Sequence, residues 1–135
     1  MSQGLAERQT GWRGPESFRR QLGGGPSAAG RARRELTALE ADLEGPVLDS
    51  VRLLVTELVT NAVRHAGAPA VELAVVVGSR RVHVEVANAG GAFAARPRED
   101  GDSGWGLVLI DRLSDDWGVA DEPGQQRVWF ELERV

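Results

Sequence analysis

At 135 residues the chain is long enough to bury one hydrophobic core and too short for two ordinary domains. Its formal net charge of -4 argues against broad electrostatic adhesion to nucleic acid or an anionic membrane, and the absence of cysteine removes disulfides, thiolate metal sites and a cysteine nucleophile. No apolar run reaches signal-peptide or membrane-spanning length, so a cytoplasmic protein with no membrane or direct nucleic-acid contact is expected.

Residues 1–16 are polar and glycine-containing and read as a flexible N-terminal arm, leaving 17–135 as the folded domain. Ser17 to Leu22 suits a short edge strand, closed by Gly23-Gly24-Gly25-Pro26. Ser27 is then placed to cap a helix running to about Leu43, with Ala28, Ala32, Leu36, Leu39 and Leu43 at helical spacing and Arg33, Arg34, Glu35 and Glu40 left for water. Gly45-Pro46 separates it from a second helix, with proline in a first-turn position, and Gly67 and Pro69 stop that helix.

This second helix carries two stripes. Val51, Val55, Leu58, Ala62 and Ala66 can face a core, while Glu57 and Asn61 lie one turn apart, with Arg64 and His65 near the same line. Beyond it the period changes to two. Val71, Leu73, Val75 and Val77 are answered by Val82, Val84 and Val86 across Gly78-Ser79-Arg80, which predicts a hairpin with one buried face and places His83 outward, in solvent. Asn88 to Ser103 is irregular and reads as a long functional loop. A short helix over Gly106 to Leu113 and a closing hairpin, Val119 to Asp121 with Gln126 to Glu133, complete the chain. Strands and helices that do not alternate singly predict an α+β two-layer sandwich, a mostly antiparallel mixed sheet covered on one face by helices.

Three features converge on a phosphate-bearing ligand. Glu57 and Asn61 offer a carboxylate and an amide on one helix, Asn88-Ala89-Gly90-Gly91 lets backbone approach closely at a strand end, and Gly104-Trp105-Gly106 opens a helix whose free N–H groups suit an anion. The run Glu57-Leu58-Val59-Thr60-Asn61-Ala62-Val63-Arg64-His65-Ala66 resembles, over its whole length, the first box of the anti-sigma-factor serine kinases, a branch of the GHKL superfamily of histidine-kinase, gyrase and Hsp90-type ATPases. Gly104-Trp105-Gly106-Leu107, Leu113-Ser114-Asp115-Asp116-Trp117-Gly118 and Val128-Trp129-Phe130-Glu131-Leu132 are similar, in order, to the second glycine box and closing strand of actinobacterial members.

That resemblance implies a Bergerat-type ATP-binding fold with ATP and Mg²⁺ as cofactors. Asn61 would ligate the magnesium, Glu57 would act as general base on a protein serine or threonine, and Arg31 would lie on the phosphate side. Asn88, Gly90, Gly104, Trp105, Gly106 and Leu107 would complete the nucleotide site. The implied partners are a sigma factor and an anti-anti-sigma (STAS-type) protein, with a homodimer as the assembly. Asn88 stands where the family has an aspartate that accepts from the adenine amino group, and a neutral amide makes the weaker bond. Ala92 and Gln126-Arg127 also depart from the pattern, so the alternative is a non-catalytic partner-binding module of the same fold.

Overall fold

The computed structural model describes residues 18–65, 70–89 and 105–134. In chain order these form β1 (Phe18–Gly23), α1 (Ala28–Leu36), a 3-10 turn (Thr37–Leu39), α2 (Gly45–His65), β2 (Ala70–Val77), β3 (Arg81–Ala89), α3 (Trp105–Leu113), β4 (Asp116–Glu122) and β5 (Gln125–Glu133). The five strands make one sheet in the order β1-β2-β3-β5-β4, and every ladder between described strands is antiparallel. The expected arm and the residues of the expected loop beyond Ala89 lie outside the described residues.

Two periodicities meet in the core. Val71, Leu73, Val75, Val82, Val84, Val86, Val128 and Phe130 project from one sheet face with no exposure, and Val51, Leu54, Val55, Leu58, Val59 and Ala62 of α2 meet them equally buried. Each Val, Leu or Phe among them stabilises the fold by about 1.5–3 kcal/mol relative to leaving it in water. The buried surface of α2 is wider than the single stripe read from the sequence, because α1 covers one flank with Ala28, Ala32 and Leu36 while the sheet covers the other. Ala66 lies outside the described residues.

Three local expectations are corrected. The first helix ends at Leu36, not near Leu43: it tightens through the 3-10 turn, which still brings Leu39 and Leu43 into the core. Ser27 is not a side-chain cap, since its backbone is already helical and its Oγ accepts a hydrogen bond from Arg31 Nη1 at 2.9 Å. The fourth strand begins at Asp116 and not at the expected Val119, so Trp117 and Gly118 belong to it. Gly118 is required by a close approach: a Cβ there would sit 2.8 Å from the Trp129 ring. Among the described residues no helix is long and apolar enough to cross a membrane.

Candidate functional site

Helix α2 holds Glu57 and Asn61 where its buried surface gives way to solvent. Glu57 is half-buried, whereas Asn61 is only 5% exposed. The spacing of four residues stacks them on one side of the helix, and Leu54, Leu58 and Ala62, all fully buried, fix the rotation of the helix against the sheet. A side chain on so anchored a helix has little freedom of position. Thr60 and the exposed Arg64 follow on the flank toward α1, where they and Gly25, Pro26, Ala29, Val59 and Val63 line a cavity of about 160 Å³.

Asn88 reaches the helix layer from the sheet. It shares a face of β3 with Val82, Val84 and Val86, stands between Val71 of β2 and Gln126 of β5, and is 1% exposed. Neither its Oδ1 nor its Nδ2 has a hydrogen-bond partner among the described residues. A buried amide left unmatched costs about 1–3 kcal/mol for each unsatisfied group, which a ligand with complementary groups would recover. A second cavity, of about 290 Å³, lies at this end of the sheet beside Gln21, Glu72, Ala87 and Gln125. It opens on the outer face, to which Gln21, Glu72 and Ala87 alternate, and Asn88 is also among the residues that line it.

The other residues singled out by sequence are distributed as follows. Arg31 donates from Nε to the Leu22 carbonyl at 3.0 Å and from Nη1 to Ser27 Oγ at 2.9 Å, clasping the connection from β1 to α1. Trp105, Gly106 and Leu107 form the first turn of α3, as a helix opened by glycine requires. Gly90 and Gly104 lie outside the described residues.

The outer sheet face holds what the sequence reading missed. His83 is 1% exposed and not in solvent. Its Nδ1 lies 3.0 Å from Glu131 and its Nε2 2.8 Å from Glu85, while Trp129 stacks on the ring at a centroid distance of 5.7 Å. Arg81 reaches Glu131 at 3.0 Å, and Arg127 lies 3.3 Å from Glu85. The contacts therefore alternate in sign from Arg81 to Glu131, His83, Glu85 and Arg127, linking β3 with β5. Burial acts to lower the His83 pKa, but its hydrogen bonds to Glu131 and Glu85 and their charges outweigh burial and hold it above the ordinary imidazole value. Glu131 is the mirror case: burial acts to raise its pKa, and His83 and Arg81 hold it below the ordinary carboxylate value. Charged residues alternating at 81, 83 and 85 opposite 127, 131 and 133 were the available signal.

The profile of the histidine kinase-like ATPase domain family matches residues 25–132, spanning α1, α2, the sheet beyond β1, and α3. The chain belongs to this family. Among solved structures, this histidine kinase-like ATPase domain is similar to the RsbU and RsbW domains of Rv1364c from Mycobacterium tuberculosis, with a TM-score of 0.69 at 19% identity, covering 90% of this chain and 33% of that one. The chain thus spans about a third of the length of that protein. It is also similar to the SiaB-SiaC complex structure from Pseudomonas aeruginosa, with a TM-score of 0.61 at 17% identity and 96% of each chain covered. A comparison with curated proteins finds no match. At these identities the structural likeness establishes the fold, in which Glu57 and Asn61 lie on α2 and Asn88 lies on the sheet face it shares with the buried valines of β3.

Proposed function

We propose that this domain is an ATP- and Mg²⁺-dependent protein serine kinase of the anti-sigma-factor type, which binds a sigma factor and phosphorylates a STAS-type anti-anti-sigma protein. The observation that carries the reading is the pair Glu57 and Asn61, one turn apart on a helix anchored by fully buried neighbours, inside a chain that matches the ATPase family from 25 to 132. The Asn61 carboxamide oxygen suits magnesium, which takes oxygen ligands and keeps several waters. Bound there, magnesium supplies charge neutralisation on the phosphates.

In this reading the Glu57 carboxylate, half-buried yet reachable from solvent, accepts the proton of a serine hydroxyl on the partner protein. The hydroxyl oxygen forms its bond to the terminal phosphorus of ATP, the bond to the bridging oxygen breaks, and ADP leaves. In this reading the backbone N–H groups that open α3 and the Arg31 guanidinium meet the phosphate oxygens. A neighbour solved as the SiaB-SiaC complex supports a protein partner for this fold, and a homodimer is proposed on the family resemblance alone.

Calorimetry of Mg²⁺-ATP with the wild type and Asn61→Ala, followed by phosphotransfer assays, tests the proposal. Micromolar binding is expected, lost in Asn61→Ala, and Glu57→Gln is expected to bind ATP but transfer no phosphate. Normal transfer by Glu57→Gln would remove its assignment as the base. The neutral Asn88 favours a second reading, a partner-binding module with a weakened nucleotide site, and absence of binding at millimolar ATP would select it.

A further inference from the structure

The Asn88 side chain is the one polar group of the helix-facing sheet surface whose donor and acceptor both lack partners among the described residues while it is 1% exposed. Its surroundings decide what it can match. Val71 and Val86 beside it have no hydrogen-bonding side chain, and although Gln126 stands opposite on β5, neither atom of the Asn88 amide has a hydrogen-bond partner among the described residues, so none of them fixes which way round the amide sits. A carboxamide offers one acceptor and one donor side by side, and a half-turn of the amide exchanges them.

We infer that Asn88 makes the nucleotide site tolerant of purine bases, accepting guanine and hypoxanthine nucleotides alongside adenine. This rests on the nucleotide-binding reading above and deepens it. On its Watson–Crick edge adenine presents an N–H donor at its exocyclic nitrogen beside an acceptor at N1, which Asn88 meets with Oδ1 accepting and Nδ2 donating. Guanine and hypoxanthine present the reverse, an acceptor at O6 beside an N–H donor at N1, and the flipped amide meets both. A carboxylate at this position accepts only, so it would welcome the adenine amine and repel O6 of guanine. The residue that weakens the contact to adenine is thus the one that removes the penalty against guanine.

The test is calorimetric titration of the wild type with the Mg²⁺ complexes of ATP, GTP and ITP, repeated on Asn88→Asp. In the wild type, GTP and ITP are expected within about tenfold of ATP, the lower range of discrimination carried by a paired hydrogen-bond contact. In Asn88→Asp, ATP binding is expected to persist while GTP and ITP weaken by roughly tenfold to a hundredfold. Wild type that binds ATP but takes GTP and ITP more than about a hundredfold less tightly overturns this inference and leaves the nucleotide reading intact. An unchanged ratio in a folded Asn88→Asp overturns it as well, since the tolerance would then lie elsewhere. If no purine nucleotide binds the wild type, both readings fall together. The wild-type series decides the matter even if the variant does not fold.

Discussion

On its helix side the sheet buries Val71, Leu73, Val84 and Phe130 with no exposure, whereas on its outer side β3 and β5 bury His83 at 1% and Glu131 at 2% exposure. Both surfaces exclude water, by opposite means. The inner face gains from removing apolar area from water and needs no particular angles. The outer face has taken charges out of water, which costs several kcal/mol per ion unless each finds its partners in good geometry. Arg81, Glu131, His83, Glu85 and Arg127 meet that condition by alternating in sign across two paired strands. Loss of one member therefore does different damage on the two sides: a hole within, an uncompensated charge without.

The inner face sets the largest expected loss. Phe130→Ala, at a fully buried position, should destabilise by about 3–5 kcal/mol, read as a lower urea midpoint. Glu131→Ala should cost about 3 kcal/mol, because it removes the buried carboxylate that His83 Nδ1 and Arg81 Nη1 share, leaving His83 only Glu85 and Arg81 only the exposed Glu133. If Glu131→Ala proved neutral, the outer network would be ornament on a sheet held from within.

The pH dependence of stability sharpens the same contrast. The His83 pKa is raised above 6.5 in the folded chain, so its stabilisation is complete below 6.5 and is lost as pH rises through the folded value. The Glu131 pKa is lowered below 4.5, so its contribution is present above 4.5 and is lost as pH falls through the folded value. Thermal melts should show greatest stability between these limits, and His83→Gln should flatten the alkaline limb. The inner face, having no titratable side chain in Val71, Leu73, Val84 and Phe130, adds nothing to this profile. Smallest of all, Arg52→Ala should change stability by less than about 1 kcal/mol, because its bridge to Glu40 at 3.2 Å is solvated.

The inner face was legible in the sequence because its valines recur with period two, and a sheet covered on one side reads that way. Helix α2 was legible for the same kind of reason, and Glu57 and Asn61 could be assigned to one side of it from spacing alone. The outer face was not. His83 alternates outward as expected, but its burial comes from Trp129, Glu131 and Glu85, two of which lie on a strand some 46–48 residues away and become neighbours only through the register of β3 with β5. The early end of α1 was hidden too, since Leu39 and Leu43 satisfy helical spacing whether the chain runs on as a helix or tightens into a 3-10 turn. At the candidate site, pattern identified Asn88 as a strand-end residue but could not show that its amide is buried without partners.

Arg134 binds the Gly78 and Asp42 carbonyls through its guanidinium and the Arg80 carbonyl through its backbone N–H. The Gly78 and Arg80 contacts lie at the β2–β3 turn, the end of the sheet farthest from Asn88, and the Asp42 contact ties that end to the connection before α2. A fluorophore or immobilisation handle attached beyond Arg134 would therefore stand a full strand length from the proposed nucleotide end. It could report on ligands without obstructing them, provided the arginine itself is kept.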